Sequence, residues 1–103
     1  MNHDDLVTWS AKAAEWTRDY HKSLRDRPVR PKIAPGEFLA KIEAPVPEQP
    51  DPVDAIFDDF TQLVPDAMTH WQHPRFFAYF PGNAAPASML AEQLANAMAA
   101  QAM

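Results

Sequence analysis

Apolar residues recur at helical spacing near the start of the chain. Leu6, Trp9, Ala13, Trp16, Tyr20 and Leu24 follow one another at intervals of three or four. That interval stacks side chains on one face of an α-helix, and it leaves Lys12, Glu15, Arg18, Asp19 and Lys22 largely off the stripe. Asn2 or Asp4 suits the N-cap, and Asp4 and Asp5 complement the positive N-terminal end. Lys22, Arg25 and Arg27 favour the C-terminal end, and Pro28 stops the helix. Two tryptophans and a tyrosine on one narrow stripe are more apolar surface than a lone helix leaves wet. The pattern calls for a partner helix, from this chain or from a second copy.

A second helical period runs through Val53, Ile56, Phe57, Phe60, Leu63 and Val64, with Asp54, Asp58, Asp59 and Gln62 opposite. Asp51 suits its N-cap, Pro52 its first position, and Pro65 ends or kinks it. A third helix is predicted from Pro86 onward. Met89, Leu90, Leu94, Ala97 and Met98 mark one face, while Ala91, Ala95, Ala99, Ala100 and Ala102 fill much of the rest. A helix apolar nearly all round is normally buried. With no C-cap glycine, basic last turn or following proline, it reads as one that continues.

Between these helices the pattern changes character. Seven of the eleven prolines fall in residues 28–52, which predicts an extended, polyproline-like connector over residues 27–52. Within it residues 36–42 suit one short turn of helix, with Phe38, Leu39 and Ile42 as anchors for an arm lying in a partner's groove. Residues 66–70 are expected to form a brief helical turn. Residues 70–83 then carry five aromatics, namely Trp71, Phe76, Phe77, Tyr79 and Phe80. Residues 75–80 read as extended, with Phe76, Ala78 and Phe80 on one face and Phe77 and Tyr79 on the other. Both faces are apolar and need cover. Residues 81–85 read as a turn. The run suits either a core strand or one wall of an apolar pocket with a polar tip at the Tyr79 hydroxyl.

Composition narrows the choice. A chain of 103 residues fits one small domain, but the proline-rich middle contributes little to a core, so a single closed domain is not expected. A net charge of −5 argues against a nucleic-acid surface, which needs clustered Lys and Arg. There is no cysteine, hence no disulfide framework or thiolate metal site. No secretory leader pattern opens the chain, and no run approaches the ~20 apolar residues of a membrane span. The expected setting is soluble and cytoplasmic.

Candidate chemistry is sparse. His70 and His73, at i and i+3, would share a helical face, but a metal site needs a third ligand, and His3 and His21 lie in or near the first helix. The acidic cluster at Asp54, Asp58 and Asp59 lacks complementary ligands and reads as a solvated face. Ser10, Ser23 and Ser88 have no nucleophile-elbow context, and Gly36 and Gly82 make no phosphate loop. Arg75 is the only basic neighbour an aromatic stacking platform would have. No self-contained catalytic set and no metal site are expected.

The aromatic run nevertheless has a familiar form. Thr69–His70–Trp71–Gln72–His73–Pro74–Arg75–Phe76–Phe77–Ala78–Tyr79–Phe80–Pro81 resembles the N-terminal signature of the group II pyridoxal-phosphate-dependent amino-acid decarboxylases. It is most similar to the aromatic-L-amino-acid decarboxylase branch. Arg27–Pro28–Val29, Ala34–Pro35–Gly36 and Pro47–Glu48–Gln49–Pro50 resemble that family's proline-rich arm, and Met89–Leu90–Ala91–Glu92 has the expected place. The resemblance covers nearly the whole chain.

It implies a mainly α, non-autonomous N-terminal arm of a fold-type I enzyme, about three helices joined by a Pro-rich linker. Residues 1–85 would form a dimerisation arm and pocket wall, and residues 86–103 the start of a helix leading into the cofactor domain. The implied reaction is loss of the α-carboxylate from an aromatic L-amino acid to give its amine, with pyridoxal phosphate as electron acceptor. The cofactor and its Schiff-base lysine would belong to downstream segments. Lys12, Lys22, Lys32 and Lys41 match no cofactor motif, so this segment alone should be inactive. Side chains matching Trp71, Tyr79, Phe80 and Pro81 would border the substrate, as would Gly82, where the family often has threonine or alanine. The implied partners are the remainder of the decarboxylase and a second, identical subunit, with no nucleic acid and no membrane. The alternative is a free-standing helical dimerisation module without catalysis.

Overall fold

The computed structural model describes residues 1–80 and 82–99. Four α-helices follow in chain order: α1 (His3–Ser23), α2 (Glu37–Ile42), α3 (Val53–Ala67) and α4 (Pro86–Ala97). A 3₁₀ turn, Leu24–Asp26, extends α1. There is no strand among the described residues, so the mainly α expectation holds, with the short α2 added to three longer helices.

Each helix begins at a residue that suits a helix start, and at α1 side chains also satisfy the free N–H groups. The Asn2 Oδ1 accepts from the backbone of Asp4 and Asp5 at 2.8 and 2.9 Å. The Asp5 carboxylate in return accepts from the Asn2 N–H at 2.8 Å, which closes a capping box. Gly36 precedes α2 at φ 83°, a left-handed conformation that a glycine adopts without steric cost. Pro52, not Asp51, occupies the N-cap of α3, and the helix runs two residues past Pro65. Pro86 opens α4 at its first position, where a missing N–H costs nothing.

Aromatic contacts join α1 to α3. Trp9 meets Phe57 at 5.4 Å between ring centroids, and Trp16 meets Phe60 at 5.4 Å edge-on. The partner that the α1 stripe requires thus comes, at least in part, from the same chain. Trp16 also stacks on Tyr20 one turn along. Residue α4 Gln93 donates to the Ser10 hydroxyl at 3.0 Å, tying the last helix to the first. The helix closes at Ala97 with Met98 as C-cap and Ala99 at φ 50°. The expectation that it runs on through residues 100–103 lies outside the described residues.

These contacts do not close a core. Leu24 (5% exposed) is the one buried large apolar side chain among the described residues. The accessible surface is 8830 Å², against about 5,800 Å² for a compact protein of this mass. The radius of gyration is 16.2 Å, against about 13 Å for a compact chain of this length. Leu39, Ile42, Ile56, Phe60, Leu90, Leu94 and Met98 stay exposed. An open groove of about 400 Å³ between α1 and α3 is lined by Leu6, Trp9, Ala13, Val53, Ile56 and Phe60, among others. So much apolar surface disfavours a free-standing module.

Candidate functional site

The segment after α3 is anchored by two buried histidines. His70 is 2% and His73 4% exposed. The His70 N–H donates to the Val29 carbonyl at 2.8 Å, which pins the start of the proline-rich connector. Its Nδ1 lies 2.9 Å from the Tyr20 hydroxyl. Burial pushes the Tyr20 phenol above its usual range, Arg27 opposing. The hydroxyl therefore keeps its proton, and the direction of its bond to Nδ1 follows the tautomer of the His70 ring. Burial also holds the His70 imidazole below its ordinary value, reinforced by Arg27 and His73 and opposed by Asp66. Arg27 completes the knot: it lies over the Tyr20 ring, donates to Ser23 Oγ at 2.8 Å and approaches Asp66 at 3.6 Å.

His73 takes a different part. Its Nδ1 accepts from the Arg75 N–H at 2.9 Å, and turn bonds run from His73 N–H to the His70 carbonyl and from Phe76 N–H to the His73 carbonyl. Its buried Nε2 has no partner among the described residues. The Nδ1 of each ring is thus committed to local structure, and the described residues hold no cluster of three potential metal ligands.

These turns overturn the extended reading of residues 75–80. The chain bends back on itself there, and Tyr79 sits at φ 58°, a left-handed conformation that costs a tyrosine about 1–3 kcal/mol. The alternating apolar pattern misled because the rings gather around one indole instead of lining two faces of a strand. Trp71 packs against Phe76 at 4.5 Å, stacks on Tyr79 at 5.6 Å and 12°, and approaches Phe80 at 6.0 Å. Its Nε1–H donates to the Phe80 carbonyl at 3.1 Å.

Of the five site residues expected from the sequence, Trp71, Tyr79, Phe80 and Gly82 come together, and Pro81 lies outside the described residues. At Gly82 a Cβ would fall 3.0 Å from Trp71 Cδ1 and 3.1 Å from Nε1, so the indole lies where a larger residue would place its side chain. Gln72 was not anticipated. Its Nε2 donates to the Gly82 carbonyl at 2.8 Å, a contact ten residues apart that no local pattern reveals. The tip of the loop faces outward, with Phe77 90% and Tyr79 87% exposed. The cluster offers aromatic faces and one phenol, which suits holding a flat apolar group more than moving protons.

The sequence model of the pyridoxal-dependent decarboxylase conserved domain matches residues 35–103. The chain belongs to the pyridoxal-dependent decarboxylase family. Tryptophan decarboxylase 2 of Oryza sativa subsp. japonica is 35% identical over 97 residues, covering 94% of this chain and 20% of that protein. The crystal structure of Oryza sativa TDC with PLP and tryptamine superposes with TM-score 0.87 at 33% identity, over 96% of this chain and 21% of the other. Rhodiola rosea 4-hydroxyphenylacetaldehyde synthase does so with TM-score 0.87 at 29% identity, over the same 96% and 21%. The chain thus spans about a fifth of the relatives it matches, and the fold is that of an N-terminal arm.

The family is pyridoxal-dependent, but the residues described here do not form a pyridoxal-binding set. No lysine lies within residues 70–83. Lys12 sits over the Trp9 ring at 4.0 Å, and Lys41 lies 3.4 Å from Glu37.

Proposed function

We propose that the chain is the N-terminal arm of a decarboxylase that converts an aromatic L-amino acid to its amine with pyridoxal phosphate. In it Trp71, Tyr79, Phe80, Pro81 and Gly82 line the substrate pocket. The observation that carries this is the Trp71-centred cluster. Its rings are organised by hydrogen bonds and a strained Tyr79 backbone, yet Phe77 and Tyr79 point away from the protein's own interior. A fold that spends strain to present aromatic faces outward is preparing them for another surface.

Residues 1–85 act as the dimerisation arm and pocket wall, and residues 86–103 lead into the cofactor domain. The open apolar groove between α1 and α3 supports a second, identical subunit seated on that face. The reaction's proton and electron transfers fall to downstream segments. The residues here hold the substrate ring, shield it from water and set its depth.

The test is steady-state kinetics of the complete enzyme with Tyr79→Ala. The expected result is a fall in kcat/KM of about tenfold or more, the equivalent of about 1.4 kcal/mol, with cofactor absorbance retained. An unchanged kcat/KM removes Tyr79 from the pocket. The product decides the reaction: an amine with carbon dioxide supports decarboxylation. An aldehyde favours a second reading, prompted by the structural likeness to the 4-hydroxyphenylacetaldehyde synthase.

A further inference from the structure

Two adjacent side chains hold the loop that carries the exposed rings. Trp71 donates to the Phe80 carbonyl at 3.1 Å, and Gln72 donates to the Gly82 carbonyl at 2.8 Å. Between these ties and the turn at residues 73–76 the chain loops outward, and Tyr79 adopts its left-handed backbone. A tyrosine does not hold φ 58° unaided, so the restraint has to come from elsewhere. The Trp71 ring supplies part of it by stacking on Tyr79. A Cβ at residue 82 would stand 3.0 Å from that ring, so the indole would have to give way by a few tenths of an ångström. Gln72 fixes the far end of the loop and with it the approach of the Gly82 backbone to the indole.

We infer that Gln72 is a positioning residue: through the Gly82 carbonyl it sets where the Tyr79 and Phe80 rings stand. It does not touch the amino acid itself. This rests on the proposal that those rings line the pocket. The chemistry is specific to an N–H donor, because a carbonyl oxygen only accepts and a carboxylate of the same shape would repel it. Gly82 is exposed, so water can satisfy its carbonyl once the donor is gone. Losing the bond therefore costs loop placement and leaves the fold standing.

The experiment uses the complete enzyme with cofactor bound. Gln72→Met removes the donor at similar volume, Gln72→Glu replaces it with an acceptor, and Gln72→His restores an N–H at comparable reach. For an aromatic amino acid, Met and Glu are expected to lower kcat/KM about five- to twentyfold, mainly through KM, since small displacements of a binding wall act on productive positioning. Cofactor absorbance and Tm should stay at wild-type values, and His should recover most of the loss. The inference is overturned if Met and Glu keep kcat/KM within about twofold. It is equally overturned if His is no better than Met, or if folding and cofactor content fall along with activity, as a purely structural role requires. Tyr79→Ala run in parallel separates the two levels. If it impairs catalysis while Gln72 is silent, only the positioning role falls; if Tyr79→Ala is silent too, the pocket assignment falls with it.

Discussion

At the residue scale, His70 shows how one buried imidazole joins distant parts of the chain. Its backbone holds Val29, its ring holds Tyr20, and Arg27 and Asp66 stand close by. Because burial disfavours the charged ring, the unfolded or undocked chain binds a proton more readily than the native one. Stability then rises with pH in that window and falls as pH drops below the ordinary imidazole value of 6.5. The expected outcome in the complete enzyme is faster hydrogen exchange at the His70 amide between about pH 6.5 and 5 than at pH 7.5, after correction for intrinsic rates. His70→Gln should flatten that dependence. Protection independent of pH would mean that the ring does not govern the contact. Nothing in the spacing of Tyr20, Val29 and His70 announces this knot, since it spans fifty residues and the sequence suggests only a histidine pair at i and i+3.

At the element scale, the helices are legible because capping and periodicity are local. Asn2, Gly36 and Pro86 mark starts by their own chemistry. The failure at residues 75–80 has an equally physical cause. A period of two also arises when rings from a coiled segment surround one indole, and the sequence does not distinguish that from a strand. Packing of α1 against α3 rests on ring pairs, Trp9 with Phe57 and Trp16 with Phe60. A double-mutant cycle on Trp9→Ala and Phe57→Ala in the complete enzyme should return a coupling of about 0.5–1.5 kcal/mol by denaturant unfolding. Simple additivity would place these helices apart in solution.

At the scale of the whole molecule, the surface area and radius of gyration both exceed those of a compact chain of this size. With one buried large apolar side chain among the described residues, hydrophobic burial cannot offset roughly 1.5 kcal/mol of ordering entropy per residue. The 103-residue chain alone is therefore expected to melt gradually, to bind a hydrophobic dye and to show no decarboxylation. A sharp two-state calorimetric transition would contradict this.

What the sequence determined by itself is therefore the local part: three long helices, a stiff proline-rich connector, and an aromatic run too apolar to remain uncovered. Those follow from residue geometry and from the cost of wetting apolar surface, neither of which needs long-range contacts. Only the tertiary structure decided how that run folds. It gathered Trp71, Tyr79, Phe80 and Gly82 around one ring, brought in Gln72, and tied the segment to Tyr20 and Val29. Each of these contacts joins residues eight or more positions apart, beyond the reach of turn chemistry or periodicity. Such contacts form only once the chain has closed on itself.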